Sequence, residues 1–130
     1  MYRWVEHTGE LELSIEAPTE TGVFAEALAA LSQILGEEPG GEMARRELAL
    51  SASDPPALLA EWLNELIFLA ETESFVPEHV AELEISHSAL HAVVEGRRGE
   101  SPPLIKAVTY HKLELTEEDG SWRGRVVLDV

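Results

Sequence analysis

The sequence predicts an α+β fold, a two-layer helix-on-sheet domain ordered roughly β-β-α-β-α-β-β-β-β and closing in a C-terminal β-hairpin. Three observations carry that reading. Two stretches place their apolar residues at helical spacing: Val23, Phe24, Ala27, Leu28, Leu31, Ile34 and Leu35, then Leu58, Leu59, Trp62, Leu63, Leu66, Ile67 and Leu69. Several shorter stretches alternate apolar and polar residues with the period of a pleated strand. Near the C-terminus, Asp119-Gly120 separates two such runs, a strong hairpin signal.

In chain order, Tyr2–Glu6 reads as a short strand, broken at His7-Thr8-Gly9-Glu10. Leu11, Leu13 and Ile15 alternate with Glu12, Ser14 and Glu16 as a half-buried strand that Ala17-Pro18 ends. Thr19 or Thr21 caps the first helix, Gly36 stops it, and residues 37–42 form a Pro/Gly/Glu loop. Residues 47–53 alternate again as a strand. Ser53 or Asp54 caps the second helix, with Pro55 and Pro56 in its first turn, where a missing N–H costs least. Strand-like segments follow at Phe75-Val76, 79–86 and 89–95, then a loop over residues 96–103. From Leu104 to Leu115, Ile105, Ala107, Thr109 and His111 alternate with Lys106, Val108, Tyr110 and Lys112, and Trp122–Val130 is the return strand.

Length and charge bound the function. The 130 residues suit one domain spanning 1–130, with apolar content of 45% that argues against global disorder. Twenty-five acidic residues against nine basic ones give a net charge of −16. Such a chain repels phosphate backbones, so direct nucleic-acid binding is not expected and a basic partner would make those contacts. The absence of cysteine removes disulfides, thiolate metal sites and a cysteine nucleophile. No apolar run suggests a signal peptide or a membrane span, so the expected location is the cytoplasm.

The chemistry-bearing candidates are few. His87 and His91 have zinc-like spacing but flank a predicted turn and lack obvious further ligands, so surface histidines are the better reading. Glu10 beside Gly9 at a strand start, and Asp129 at the end of the last strand, offer oxygen ligands suited to a hard cation. A strand that ends the chain also makes the terminal carboxylate of Val130 a candidate. By spacing alone, most of the acidic residues simply solvate a surface. His7 reads as a partner orienting Glu10 or as a cap on the Gly9 turn. Lys106 reads as a partner contact or as a lysine guarding a sheet edge. His111 reads as a ligand-orienting or a neighbour-bonded strand histidine, and Tyr110 as core or sheet surface. Glu65 on the second helix either joins an ion site or stays solvated, and Arg97 and Arg98 read as loop charges.

Five blocks sit in order at sensible intervals. They are His7-Thr8-Gly9-Glu10, Trp62-Leu63-Asn64-Glu65-Leu66-Ile67, Glu71-Thr72-Glu73, Lys106-Ala107-Val108-Thr109-Tyr110-His111 and Leu128-Asp129-Val130. Together they resemble the archease family over essentially the whole chain. The Lys-Ala-Val-Thr-Tyr-His block with the Leu-Asp-Val ending is the most specific part. The resemblance implies a non-enzymatic activator of the GTP-dependent tRNA-splicing RNA ligase. That enzyme joins a 3′-phosphate or cyclic-phosphate RNA end to a 5′-hydroxyl end through a guanylylated histidine. It also implies a divalent cation, calcium first with magnesium or manganese as alternatives, held by Glu10, Asp129 and Val130. Glutamate at position 10 departs from the aspartate usual in the family, keeping the carboxylate but adding a methylene. Two other classes compete: a metal-dependent phosphoester hydrolase with His111 as base, and a chaperone-like acidic binding module.

Overall fold

The computed structural model describes residues 1–36, 41–100 and 105–130. Nine elements follow the predicted order. They are β1 (Tyr2–His7), β2 (Glu10–Ala17), α1 (Glu20–Leu35), β3 (Met43–Ser51), α2 (Pro55–Thr72), β4 (Phe75–Ser86), β5 (Ala89–Arg98), β6 (Ala107–Glu118) and β7 (Ser121–Asp129). The strands divide into two antiparallel sheets, β1-β2-β7-β6 and β3-β5-β4. The helices join them: α1 packs on β2 and β4, and α2 packs on β6, β4 and β3.

Both helix starts follow from their caps. Thr19 Oγ1 accepts from the Gly22 N–H at 3.0 Å, and Asp54 Oδ1 accepts from the Ala57 N–H at 2.8 Å. Pro55 and Pro56 occupy the first two positions of α2, as expected. Gly36 closes α1 by donating its N–H to the Ser32 carbonyl. The buried centre is Trp62, whose Nε1–H donates to the Phe24 carbonyl at 2.9 Å and whose ring lies tilted to that of Phe24, centroids 6.2 Å apart. The two helices are thereby tied by a hydrogen bond as well as by packing.

The strand limits depart from expectation where ladder partners override local pattern. The third strand begins at Met43, not residue 47, because residues 43–46 pair with residues 94–97 in unbroken register. The segments 75–76 and 79–86 merge into one strand, bent by two irregularities near Pro77 and Val80. The loop expected at 96–103 starts only after Arg98: Gly96, Arg97 and Arg98 belong to β5. Gly96 is needed there, since a Cβ on it would lie 2.0 Å from the Val76 carbonyl oxygen. Residues 37–40 of one expected loop, residues 101–103 of the other, and residue 104 at the expected start of the strand that follows lie outside the described residues.

The final hairpin forms as predicted, with Asp119 at φ 53° and Gly120 at φ 75°, both left-handed as a type I′ turn requires. The alternation expected through residues 105–112 does not hold. Ile105 and Val108 are buried while Ala107 is exposed. The ladder runs from Thr109↔Val127 directly to Glu114↔Arg125, so residues 110–113 bulge out opposite Val126. Lys112 sits at φ 57° inside that bulge, which resets the phase of the strand.

Candidate metal centre at one end of the first sheet

Burial fixes the two faces of the first sheet. Leu13, Ile15, Val126 and Leu128 are buried against the helices. Pleating therefore places Glu10, Glu12, Ser14 and Glu16 of β2, with Arg123, Arg125, Val127 and Asp129 of β7, on the opposite face. The register aligns these residues in rows across the strands. The end row reads His7, Glu10, Asp129, Ala107, each directly opposite the next. Residues facing one another in such a ladder have Cβ atoms about 4.5–5.5 Å apart, so the Glu10 and Asp129 carboxylates share one patch.

Backbone hydrogen bonds hold that patch. The Lys106 N–H donates to the Asp129 carbonyl at 2.8 Å, and the Val130 N–H donates to the Gly9 carbonyl at 3.2 Å. Val130, one residue beyond β7, is thus pinned beside the Thr8-Gly9 turn, where Gly9 takes φ 75°. The Lys106 side chain remains exposed. One row inward, Thr109 Oγ1 is buried without a hydrogen-bond partner among the described residues.

This donor set is all oxygen and fits a hard divalent cation, with Glu10, Asp129 and a main-chain oxygen of Val130 as the groups that would hold it. It falls short of the six to eight ligands that calcium takes. Among the described residues no three His, Cys, Asp or Glu side chains converge as a metal group. Water or a partner's groups would complete the shell.

The remaining candidates are placed as follows. His7 lies opposite Glu10 in the ladder, but its Nε2 is 3.8 Å from Glu12 Oε1, so among the described residues its ion-pair partner is Glu12. His111 is exposed in the bulge of β6. Glu65 is half-buried on α2. The α2 carboxylate that meets β6 is Glu61, one turn earlier, which accepts from the Tyr110 hydroxyl at 3.1 Å. Desolvation, followed by that hydrogen bond, pushes the Tyr110 hydroxyl above its ordinary range. Tyr110 is exposed rather than core. Arg97 is not a free loop charge: its Nε lies 3.2 Å from Glu78 Oε1.

The two histidines with zinc-like spacing are separated by structure. His87 takes φ 57° in the two-residue turn between β4 and β5, whereas His91 lies on β5 with Nε2 2.8 Å from Glu47 Oε1. That hydrogen bond raises the His91 pKa above 6.5, aided by the charges of Glu47, Glu84 and Glu82. A raised pKa in the folded state adds stability that is complete below the unfolded value of 6.5 and is lost as pH rises through the folded value. An NMR titration of the His91 ring should give a midpoint above 6.5, and Glu47→Gln should lower it. A midpoint at or below 6.5 would remove the pairing as its cause.

Fold and end row together define a small acidic α+β domain that presents paired carboxylates at the rim of an open sheet. The chain belongs to the archease family, whose family model, the Archease protein family, matches residues 2–130. Protein archease of Methanosarcina mazei is 34% identical over 141 residues, covering 99% of this chain and 95% of its own length. Protein archease of Methanothermobacter thermautotrophicus is 31% identical over 83% of each chain. The solution structure of Methanobacterium thermoautotrophicum protein 1598 superposes with a TM-score of 0.75 at 25% identity, covering 99% of this chain and 98% of the other. A crystal structure from Thermotoga maritima described as an archease and possible chaperone shares the fold, with a TM-score of 0.68 at 21% identity over 100% of this chain and 98% of the other.

Proposed function

We propose that this chain is a non-enzymatic activator of a GTP-dependent tRNA-splicing RNA ligase, promoting the ligase's guanylylation and multiple turnover. The reading rests on family membership and, above all, on the register that sets Glu10 beside Asp129 with Val130 pinned next to them. A bound divalent cation, calcium first with magnesium or manganese as alternatives, would supply positive charge able to orient phosphate oxygens. The chain's own residues do the rest. Glu10 and Asp129 bring negative charge to a rim that can enter a basic site. Lys106, anchored through its amide with its side chain exposed, and His111, exposed on the bulge, would touch the partner.

The net charge of −16 suits this role. Opposite charge steers association with a basic ligase surface and makes it sensitive to salt, while independent RNA binding is opposed. The test is ligation of a 3′-phosphate RNA to a 5′-hydroxyl RNA with ligase limiting, GTP and metal present. Addition of this protein should raise the number of turnovers with little effect on the first. An unchanged turnover number with an active ligase would reject the proposal.

The Thermotoga structure's description as a possible chaperone favours one second reading, an acidic module that binds many basic proteins. Binding to unrelated basic proteins as strongly as to the ligase would favour it.

A further inference from the structure

At the opposite end of the same sheet face, the charge reverses. An open groove of about 690 Å³ is lined by Arg3, Ser14, Glu16, Glu114, Arg123 and Arg125, among others. Arg3 and Arg125 flank Ser14 from the two neighbouring strands, and Arg123 lies two residues along β7 from Arg125 on the same face. Strand spacing puts Arg3 and Arg125 about 10 Å apart at the backbone, with Arg123 about 7 Å from Arg125, so three long side chains can converge over one hydroxyl. We propose that this groove is a binding site for a phosphomonoester or pyrophosphate group.

The arginines differ in their commitments. Arg125 donates Nε–H to the Lys112 carbonyl at 3.0 Å and Nη2–H to Glu114 Oε2 at 2.8 Å. Those bonds lock its plane and leave three of the guanidinium's five N–H donors uncommitted. Arg3 and Arg123 are exposed and have no ion pair among the described residues. In a chain with 25 carboxylates, these two arginines on one face remain available to an anion from outside. Glu16 lies directly across the ladder from Arg123, but its carboxylate accepts from the Ser121 hydroxyl, at 3.3 Å. The N-terminal amine near the groove is taken by Glu26 at 3.2 Å.

The number of donors selects the ligand class. A carboxylate offers two oxygens, which one guanidinium fork already matches. Three arginines and a serine lining one groove can match a group with more acceptor oxygens, hence phosphate. The groove's volume is within the range of small-ligand sites. The surrounding negative charge opposes a long polyanion, so a single phosphate group or pyrophosphate is the class that fits.

The inference is independent of the ligase reading, and its test needs no ligase. Inorganic pyrophosphate is titrated into the full chain at fixed ionic strength, by calorimetry and by amide NMR, with chloride as control. Shifts should cluster at Arg3, Ser14, Arg123 and Arg125. Arg3→Ala and Arg123→Ala, both at exposed positions, should each weaken binding about tenfold or more. A 5′-phosphorylated dinucleotide, compared with its 5′-hydroxyl form, separates a nucleic-acid terminus from free pyrophosphate as the source of the group. Preference for either supports the site. Undiminished binding by the Arg3→Ala/Arg123→Ala double variant, shifts no larger than chloride produces, or no binding at millimolar pyrophosphate would overturn it.

Discussion

Replacing Asp129 with alanine is expected to abolish stimulation of multiple-turnover ligation and to weaken calcium binding by at least about tenfold. Loss of residues merely supporting metal ligands already costs that much. The Asp129 side chain is exposed, and its place in the ladder uses only backbone groups, the carbonyl accepting from Lys106 N–H. The fold should therefore survive, and the defect should be one of charge at the rim. Asp129→Asn, which keeps shape and removes charge, should behave nearly as badly. Glu10→Asp probes the same patch from the other strand: the shorter carboxylate changes reach without changing charge. Calcium titration of the purified protein reads the site without the ligase. Calcium binding undiminished in Asp129→Ala would end the metal role, whereas lost calcium binding with full ligase stimulation would separate the metal from the activation.

Trp62→Ala should be the most destabilising single core change, at about 3–5 kcal/mol. Trp62 is fully buried, packs on Phe24 and donates to its carbonyl, so truncation removes a contact that ties α2 to α1 and opens a cavity between them. Trp62→Phe separates the two contributions, retaining most of the ring volume but losing the N–H donor. The Phe24 carbonyl sits within α1, so it keeps a helical partner and the cost of Phe should be well below that of Ala. Chemical denaturation read by far-ultraviolet circular dichroism measures both. An alanine variant within about 1 kcal/mol of the parent would show that the helix pair does not depend on this anchor.

Helices, caps and the closing turn were legible in the sequence because their signals are local. Thr19, Asp54-Pro55-Pro56 and Asp119-Gly120 act within a few residues of themselves, and all three do in the structure what their chemistry implies. The strand limits were less legible. Residues 43–46 become strand because they pair with residues 94–97 of β5, and residues 96–98 because they pair with residues 75–77 of β4, and no local pattern contains those partners. The bulge at residues 110–113 is equally hidden from local pattern, since it is defined only by the ladder's step from Thr109↔Val127 to Glu114↔Arg125.

The site divides along the same line. The sequence by itself determined the elements, their order and the excess of carboxylates, and the blocks around Glu10, Lys106 and Asp129 carry the resemblance that names the family. It could not show that Glu10 faces Asp129, because that depends on the pairing of the second strand with the last, more than a hundred residues apart. Nor could it show that Arg3, Arg123 and Arg125 share one face, since they come from opposite ends of the chain and look like scattered charges until the register is known. Side-chain chemistry is local and can be read in order. Juxtaposition across a sheet depends on register, which the buried faces of Leu13, Ile15, Val126 and Leu128 set by packing against the helices.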